Sequence, residues 1–149
     1  MKILVTGVKG QLGYDVMKVL GQRKIECLGA DIEEFDITDA AATTAFIERY
    51  APDAVIHCSA YTAVDRAEDD PALCERVNVD GARNIAAACE KIGAKMVYIS
   101  TDYVFPGTGE QFYETDDPTG PLSVYGKTKL GGELAVRQLL QRYFIVRIS

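Results

Sequence analysis

A tyrosine and a lysine stand four residues apart, at Tyr125 and Lys129, in a segment whose apolar residues have helical spacing. This separation places both side chains on one face of a helix. An ammonium group beside a phenol favours the phenolate and would move the tyrosine pKa from about 10 towards neutrality, which suits a general acid. Tyr14 and Lys18 have the same spacing but no strand end with a hydroxyl group upstream, so we assign them to a helix surface. The alternative for Tyr125 and Lys129 is likewise an exposed pair on an amphipathic helix.

A hydroxyl group and a carboxylate end the apolar run that precedes this pair. They belong to Thr101 and Asp102, and Thr101 lies 24 residues before Tyr125. Parallel strands place their carboxyl ends at one edge of a sheet, where ligands bind, so Thr101 and Tyr125 can converge on one oxygen atom. The hypothesis is hydride transfer to a carbonyl group. In it Tyr125 is the general acid, Thr101 polarises the same oxygen, and Lys129 lowers the tyrosine pKa and holds the nicotinamide ribose.

Three glycines, Gly7, Gly10 and Gly13, form a G-x-x-G-x-x-G run between the first predicted strand and the first predicted helix. The spacing alone is weak evidence, because the chain contains 13 glycines in 149 residues. The position is stronger evidence, since glycines there permit a tight turn and close approach of a pyrophosphate to the amides of a helix N-terminus. The alternative is a plain strand-to-helix turn.

An acidic residue, Asp31, ends the second predicted strand. Asp31 lies 18 residues after Gly13. At about this separation from the glycine run, a carboxylate hydrogen-bonds the adenosine ribose diol and repels a 2′-phosphate. We therefore expect NADH to be preferred over NADPH, although Arg23 or Lys24 could reach a phosphate. Asp36 and Ile37 could cover the adenine, or Asp36 could be a helix N-cap or a turn residue.

Short apolar segments alternate with amphipathic ones along the chain. Strands that are apolar on both faces are typical of a parallel sheet covered by helices, and a β-α alternation implies right-handed crossovers. The predicted fold class is α/β, a doubly wound parallel sheet of at least five strands. The strands are predicted at 2–6, 25–30, 54–58, 95–101 and 144–149, the helices at 11–22, 40–50, 73–92 and 124–142, and a functional loop at 103–123.

Composition argues against several classes of partner. The net charge is −6, whereas affinity for nucleic acid rests on a basic surface. A metal site is not expected, because the chain has one histidine and four cysteines without a C-x-x-C motif. The acidic run at 65–70 is typical of a solvated helix start. The apolar runs are too short for a membrane helix and the first residues lack a signal-peptide pattern. We therefore expect a cytoplasmic protein with reduced core cysteines.

Four motifs together carry a resemblance to a known family: TGVKGQLG at 6–13, AYTAVDRAE at 60–68, STDYVFPGTG at 100–109 and YGKTKLGGE at 125–133. With them the chain resembles the extended short-chain dehydrogenase/reductases, and within these the dTDP-4-dehydrorhamnose reductase family. The resemblance implies a Rossmann-type NAD(P)-binding domain over residues 1–149. It also implies roles for Gly10, Gln11 and Leu12 at the pyrophosphate, Ser59, Ala60 and Tyr61 along the cofactor, and Asp102 near the sugar. His57 departs from the asparagine usual in the family, and we interpret it as a strand-end residue rather than an acid or base.

The family reduces the 4-keto group of dTDP-4-dehydro-L-rhamnose with NADH or NADPH. The resemblance therefore implies a dTDP-sugar as the substrate and a whole protein that could form a homodimer. Because such enzymes are considerably longer, we expect the smaller substrate-binding part to be missing from residues 1–149 and the isolated chain to be poorly active. Two alternatives stay open: another sugar-nucleotide reductase or epimerase, and a non-catalytic subunit resembling the regulatory subunit of methionine adenosyltransferase.

Overall fold

Five parallel strands form one sheet in the computed structural model, which describes residues 1–108 and 112–149. The strands are β1 (Lys2–Thr6), β2 (Glu26–Ala30), β3 (Ala54–His57), β4 (Lys95–Thr101) and β5 (Tyr143–Ile148). They lie in the order β2-β1-β3-β4-β5, and all neighbours are parallel. The predicted doubly wound α/β class is therefore confirmed. Residues 109–111, which belong to the predicted loop and in part to the third motif, lie outside the described residues.

Helices connect the strands and cover both faces of the sheet. They are α1 (Gln11–Gln22), α2 (Ala40–Tyr50), α3 (Val64–Asp69), α4 (Pro71–Glu75), α5 (Ala82–Ile92) and α6 (Val124–Leu139), with a π turn (Arg76–Gly81) and a 3-10 turn (Asp102–Val104). On one face, Ile47 of α2 and Val136 of α6 join the core around Leu4 of β1. On the other face, Leu20 of α1 packs with Ile3, because neighbouring side chains of a strand alternate. Within the described ranges, no helix has the length and apolar character needed to cross a bilayer.

The long amphipathic segment departs most from its predicted form. The helix predicted over 73–92 begins at Pro71 and is interrupted by the π turn at Arg76–Gly81. Its start is capped, because the Asp70 carboxylate accepts a hydrogen bond from Leu73 N at 3.0 Å and Pro71 needs no amide partner there. A π turn is a local change of helical hydrogen bonding that apolar periodicity does not reveal.

The other differences between the predicted and observed elements are shifted ends and one short helix. The last helix was predicted to reach residue 142 but ends at Leu139, because Leu140 adopts an extended backbone. β2, β3 and β5 each differ from their predicted bounds by one residue. The six-residue α3 escaped prediction, since so short a helix shows little periodicity.

β5 is covered on one side only by the described residues. Tyr143 and Ile145 pack against the core on the α6 side. Phe144, Val146 and Ile148 alternate with them and are exposed. The sheet therefore presents an apolar surface at β5 on the side where α1 covers the strands nearer β2.

Candidate active site

A cavity of about 780 Å³ lies at the carboxyl ends of β1, β3 and β4. The chain leaves β1 towards β2 on one side and returns to β3 on the other, and open α/β sheets bind ligands at such a reversal of strand order. Tyr61 and Asp102 do not line the cavity. The other predicted site residues do, namely Gly7, Gly10, Gln11, Leu12, Gly13, Asp31, Asp36, Ile37, Ser59, Ala60, Thr101, Tyr125 and Lys129.

The loop after β1 forms a cradle of backbone amides. Gly7 has a φ of +72°, and a Cβ there would lie 2.7 Å from Ser59 N, so only glycine fits. A Cβ on Gly13 would lie 2.2 Å from the Gly7 carbonyl oxygen, so this glycine lets α1 begin close to the turn. The first α-helical hydrogen bond of α1 runs from Tyr14 N to Gly10 O, which leaves the three preceding amides without helical partners. An anion such as a pyrophosphate fits this helix end.

Asp31 lies beside this cradle. Its carboxylate accepts hydrogen bonds from the backbone amides of Lys9 and Ile32, each at 2.9 Å. The Asp31 amide in turn donates to the Glu34 carboxylate at 2.7 Å. These bonds hold the Asp31 carboxylate against the glycine loop. The Lys9 ammonium group forms an ion pair with Glu33 next to it.

Arg23 and Lys24 lie far from this carboxylate. Both follow the C-terminal end of α1, and a helix of 12 residues is about 18 Å long. Neither is among the described residues that line the cavity. The expectation that they could reach a phosphate is therefore wrong, because α1 runs away from the cradle.

Asp36 is a turn residue that also lines the cavity. Its Oδ1 accepts hydrogen bonds from the amide and the hydroxyl group of Thr38, each at 2.8 Å. The next residue, Ile37, contacts Gly81 of the π turn, and its carbonyl oxygen accepts a hydrogen bond from Asn84 Nδ2 at 2.9 Å. The turn at Asp36 thus holds the Ile37 side chain at the cavity wall.

Lys129 is buried on α6 at the opposite end of the cavity. Its Nζ donates a hydrogen bond to the Ile99 carbonyl oxygen at 2.6 Å and lies 4.4 Å from the centre of the Tyr98 ring. Burial lowers the pKa of Lys129 from 10.5 to about 8, while the Glu133 carboxylate acts in the opposite direction. The side chain is therefore mostly charged at neutral pH.

Thr101 and Tyr125 line the same end of the cavity as Lys129. The Thr101 hydroxyl group donates to the Asp102 carboxylate at 3.1 Å and accepts a hydrogen bond from Tyr103 N at 3.2 Å. The Tyr125 ring stands edge-on to the Tyr103 ring, with 5.7 Å between their centres. The strand end at β4 thus brings the Thr101 hydroxyl group and the Asp102 carboxylate close to the Tyr125 phenol.

The pKa of Tyr125 shifts in the direction opposite to the expected one. Burial raises the pKa, the Thr101 hydroxyl group lowers it in part, and the charge of Asp102 raises it further. The Lys129 ammonium group is bound to a backbone carbonyl instead of the phenol. The expectation that Lys129 brings the Tyr125 pKa towards neutrality is therefore wrong for this structure. A phenol that stays protonated at neutral pH is nevertheless the form that a proton donor needs.

A buried carboxylate on α6 was given no role by sequence reasoning. Glu133 lies one turn after Lys129 and accepts hydrogen bonds from Ser100 Oγ at 2.6 Å, Arg147 Nε at 2.9 Å and Arg147 Nη2 at 2.7 Å. Arg147 Nη1 also donates to the Thr115 carbonyl oxygen at 3.2 Å. These contacts join β4, β5, α6 and the loop before α6. The available signal was the continued four-residue spacing after Lys129, which keeps Glu133 on the same face of the helix.

Asn78, in the π turn, is a second residue that sequence reasoning left without a role. Its Oδ1 accepts a hydrogen bond from Tyr61 N at 2.8 Å, and its Nδ2 donates to Tyr61 O at 3.1 Å and to Thr128 Oγ1 at 3.1 Å. The amide thereby holds the segment after β3 against α6. An asparagine on the apolar face of a predicted helix was the available signal, since a buried amide needs partners.

His57 ends β3 beneath the cavity and is buried. Its Nδ1 lies 2.8 Å from Thr6 Oγ1, and its ring stacks on the Tyr98 ring with 5.9 Å between centres. Burial lowers the pKa of His57 from 6.5 to about 3, and the charge of Lys129 acts in the same direction. A ring that is neutral at physiological pH and packed within the sheet fits a strand-end residue better than an acid or base.

Comparisons with known proteins identify a family that matches along the whole chain. The model of the family described as "RmlD substrate binding domain" matches residues 1–149. A dTDP-4-dehydrorhamnose reductase of Streptomyces griseus is 45% identical over 98% of this chain and 48% of its own length. The Salmonella typhimurium reductase is 38% identical over the whole chain and 51% of its own length. The chain therefore spans about half the length of the curated relatives it matches.

Solved structures show the same arrangement of elements. A dTDP-4-dehydrorhamnose reductase from Clostridium acetobutylicum has a TM-score of 0.97 and 43% identity, covering all of this chain and 53% of its own. The reductase from Bacillus anthracis, solved with NADP, has a TM-score of 0.95 and 40% identity, covering 99% and 53%. A UDP-glucose 4-epimerase from Thermus thermophilus, solved with NAD, has a TM-score of 0.86 and 27% identity, covering 99% and 54%.

Proposed function

The chain belongs to the RmlD substrate binding domain family, and from that premise we propose that it binds NADH or NADPH and carries the hydride-transfer groups of a dTDP-4-dehydrorhamnose reductase. One observation carries the proposal: a single cavity holds the amide cradle, Asp31 and the Thr101, Tyr125 and Lys129 side chains. A dinucleotide needs an anion site and a ribose acceptor at one end and proton-transfer groups at the other.

The residues fit a nicotinamide dinucleotide. The free amides at the start of α1 would hold the pyrophosphate, and Asp31 would accept hydrogen bonds from the adenosine ribose. The Asp36–Ile37 turn would meet the adenine, and Ser59 and Ala60 would run along the dinucleotide after β3. Tyr61 lies outside the cavity, where Asn78 holds its backbone, and would contribute only by fixing this segment. The bound cofactor supplies the hydride. The NADP complex of the Bacillus anthracis relative supports this class of cofactor, and Asp31 favours NADH within it.

The chain's own side chains would handle the carbonyl oxygen of the substrate. Tyr125, protonated at neutral pH because burial raises its pKa, would donate a proton to that oxygen. Thr101 would polarise the same oxygen through its hydroxyl group, and Asp102 beside it would lie near the sugar. Lys129 would hold the nicotinamide ribose with its ammonium group, which Glu133 helps to keep charged.

The substrate proposed for the whole protein is dTDP-4-dehydro-L-rhamnose, reduced at its 4-keto group. The relatives that carry this activity in their names are about twice as long as the segment that matches them. We therefore assign residues 1–149 to the cofactor-binding part and most of the sugar contacts to residues outside it. A chain with the reacting groups but little substrate binding is expected to turn over poorly. Cytoplasmic location and a homodimer stay predictions.

The cofactor proposal is tested by titrating the 149-residue protein with NADH and NADPH while nicotinamide fluorescence is monitored. Turnover of dTDP-4-dehydro-L-rhamnose by the whole protein tests the chemistry. We expect Tyr125→Phe to lose at least a hundredfold in kcat, a typical contribution of a general acid. Tyr14→Phe, in the pair assigned to the helix surface, is the matched control and should retain full turnover. An undiminished rate for Tyr125→Phe would refute the assignment, and nucleotide binding without any turnover would favour a regulatory binding module.

A further inference from the structure

An exposed ion pair joins Lys9, which lines the cavity beside Asp31, to Glu33, which lies outside the cavity lining. The Lys9 ammonium group contacts the Glu33 carboxylate, and the two side chains are 64% and 54% exposed. Lys9 belongs to the glycine loop, and its backbone amide donates to the Asp31 carboxylate at 2.9 Å. Glu33 follows Asp31 by two residues. The pair therefore lies next to the group that would bind the adenosine ribose.

Lys9 is the cation available at this end of the cavity. Among the described residues that line the cavity, Lys9 and Lys129 are the two with a positive charge, and Lys129 is buried at the other end. Three carboxylates surround Lys9, those of Asp31, Glu33 and Glu34, and all three raise its pKa, with the Glu33 hydrogen bond contributing most. The contact with Glu33 thus occupies the one cation there that could meet a phosphate.

We propose that the Lys9–Glu33 ion pair selects between NADH and NADPH, an inference that rests on the proposed cofactor binding. A phosphate on the 2′ oxygen would approach Asp31 and Glu33, two like charges, while Lys9 is already neutralised by Glu33. The 2′-hydroxyl group of NADH carries no charge and needs no cation. Removing the Glu33 charge releases the Lys9 ammonium group for a phosphate and removes one source of repulsion.

The effect of this release is moderate because the pair is exposed. Exposed charge pairs contribute little because water screens them, and the expected change in affinity is at most roughly fivefold. Glu33→Gln should therefore raise the affinity for NADPH by up to about fivefold and change the affinity for NADH by less than about twofold. Both side chains are on the surface, so these variants are expected to fold.

A double-mutant cycle on the 149-residue protein tests the inference. The proteins are wild type, Lys9→Gln, Glu33→Gln and the double variant, each titrated with NADH and NADPH at low ionic strength. The gain for NADPH should appear in Glu33→Gln and disappear in the double variant, because Lys9 is then absent. Glu34→Gln is the matched control, since it removes a neighbouring carboxylate without releasing Lys9 and keeps a side-chain oxygen that can accept the Asp31 amide.

The outcomes separate this inference from the cofactor proposal. If both dinucleotides bind and the ratio of the NADPH affinity to the NADH affinity is the same in wild type and Glu33→Gln, the inference alone is overturned. A gain that persists without Lys9, or an equal gain in Glu34→Gln, also overturns it, because repulsion by any carboxylate would then explain the preference. Failure of every variant to bind either dinucleotide overturns the cofactor proposal as well.

Discussion

The two ends of the cavity hold their charged groups in different ways. At the end near Asp31, Lys9 and Glu33 form a pair with more than half of each side chain exposed. At the end near Tyr125, Glu133 is fully buried and Arg147 is only 15% exposed. Water screens the first pair, so one member can be removed at little expense in stability. Removing one member of the second leaves a buried charge unpaired. The proposed cofactor choice is thus separable from folding, whereas the proposed proton-transfer end is not.

The largest expected effect is on Glu133. Glu133→Ala leaves the Arg147 guanidinium and the Ser100 hydroxyl group without their partner, and we expect a loss of about 3–5 kcal/mol in the free energy of unfolding. Urea denaturation followed by circular dichroism measures it. Glu33→Ala is the control at the other end and should leave the free energy of unfolding nearly unchanged, because both members of its pair are exposed. Equal losses for the two variants would remove the proposed distinction between the ends.

A smaller loss is expected for Asn78. Asn78→Ala removes both hydrogen bonds to the Tyr61 backbone and the one to Thr128, so stability should fall by about 2–3 kcal/mol. Nucleotide affinity should fall as well, because the segment after β3 loses its attachment to α6. Asn84→Ala, which removes a hydrogen bond to the Ile37 carbonyl oxygen, is the comparison variant. The affinities are compared at temperatures where Asn78→Ala is folded. If this variant then binds NADH as tightly as the wild type does, the Tyr61 contact is only structural.

Acid should destabilise the protein through His57. The pKa of His57 is about 3 in the folded state, against the ordinary value of 6.5 that applies to the unfolded chain. Between these two pH values the unfolded chain therefore binds more protons than the folded one. Stability from this group is complete above pH 6.5 and is lost as the pH falls. The loss between pH 6.5 and 4.5 should be about 2 kcal/mol. Urea unfolding at several pH values should show a flatter profile for His57→Asn, and identical profiles would contradict the assignment.

Lys129 should affect stability in the alkaline pH range, and by less than His57 does in the acidic range. Burial lowers its pKa to about 8 from 10.5, so between these values the folded chain binds fewer protons than the unfolded one. Its contribution to stability therefore rises as the pH increases through about 8. Relative to Lys129→Met, the wild type should gain about 1 kcal/mol between pH 7 and 9. The difference between the two profiles is the measurement, because it cancels the titration of other groups. A constant difference would show that Lys129 is not buried as a charged group.

Local patterns predicted much of the site. Apolar runs located the strands to within one residue, because a strand buried on both faces needs continuous apolar side chains. The glycine run and Asp31 indicated the cradle, since the backbone conformation at Gly7 and the close approach at Gly13 depend on residue type. Tyr125 and Lys129 were found by helical spacing. The structure brings all these residues to one cavity.

Other properties depend on contacts between distant residues. The attachment of Tyr61 by Asn78 and the pairing of Glu133 with Arg147 could not be predicted, because their partners are 14 to 50 residues apart. The π turn is local, but apolar periodicity does not reveal a change of helical hydrogen bonding. Arg23 and Lys24 failed as phosphate ligands because the direction of α1 carries them away from the cradle.

The sequence by itself determined the order of the elements, the glycine cradle and the residues that we propose to transfer a proton. These follow from backbone sterics and apolar periodicity, which act over a few residues. The tertiary structure decided the protonation of those residues and the partners of each charge. Burial raises the pKa of Tyr125 and lowers that of Lys129, whereas Lys9 is paired with Glu33 on the surface, because desolvation and ion pairing depend on the whole surroundings of a group.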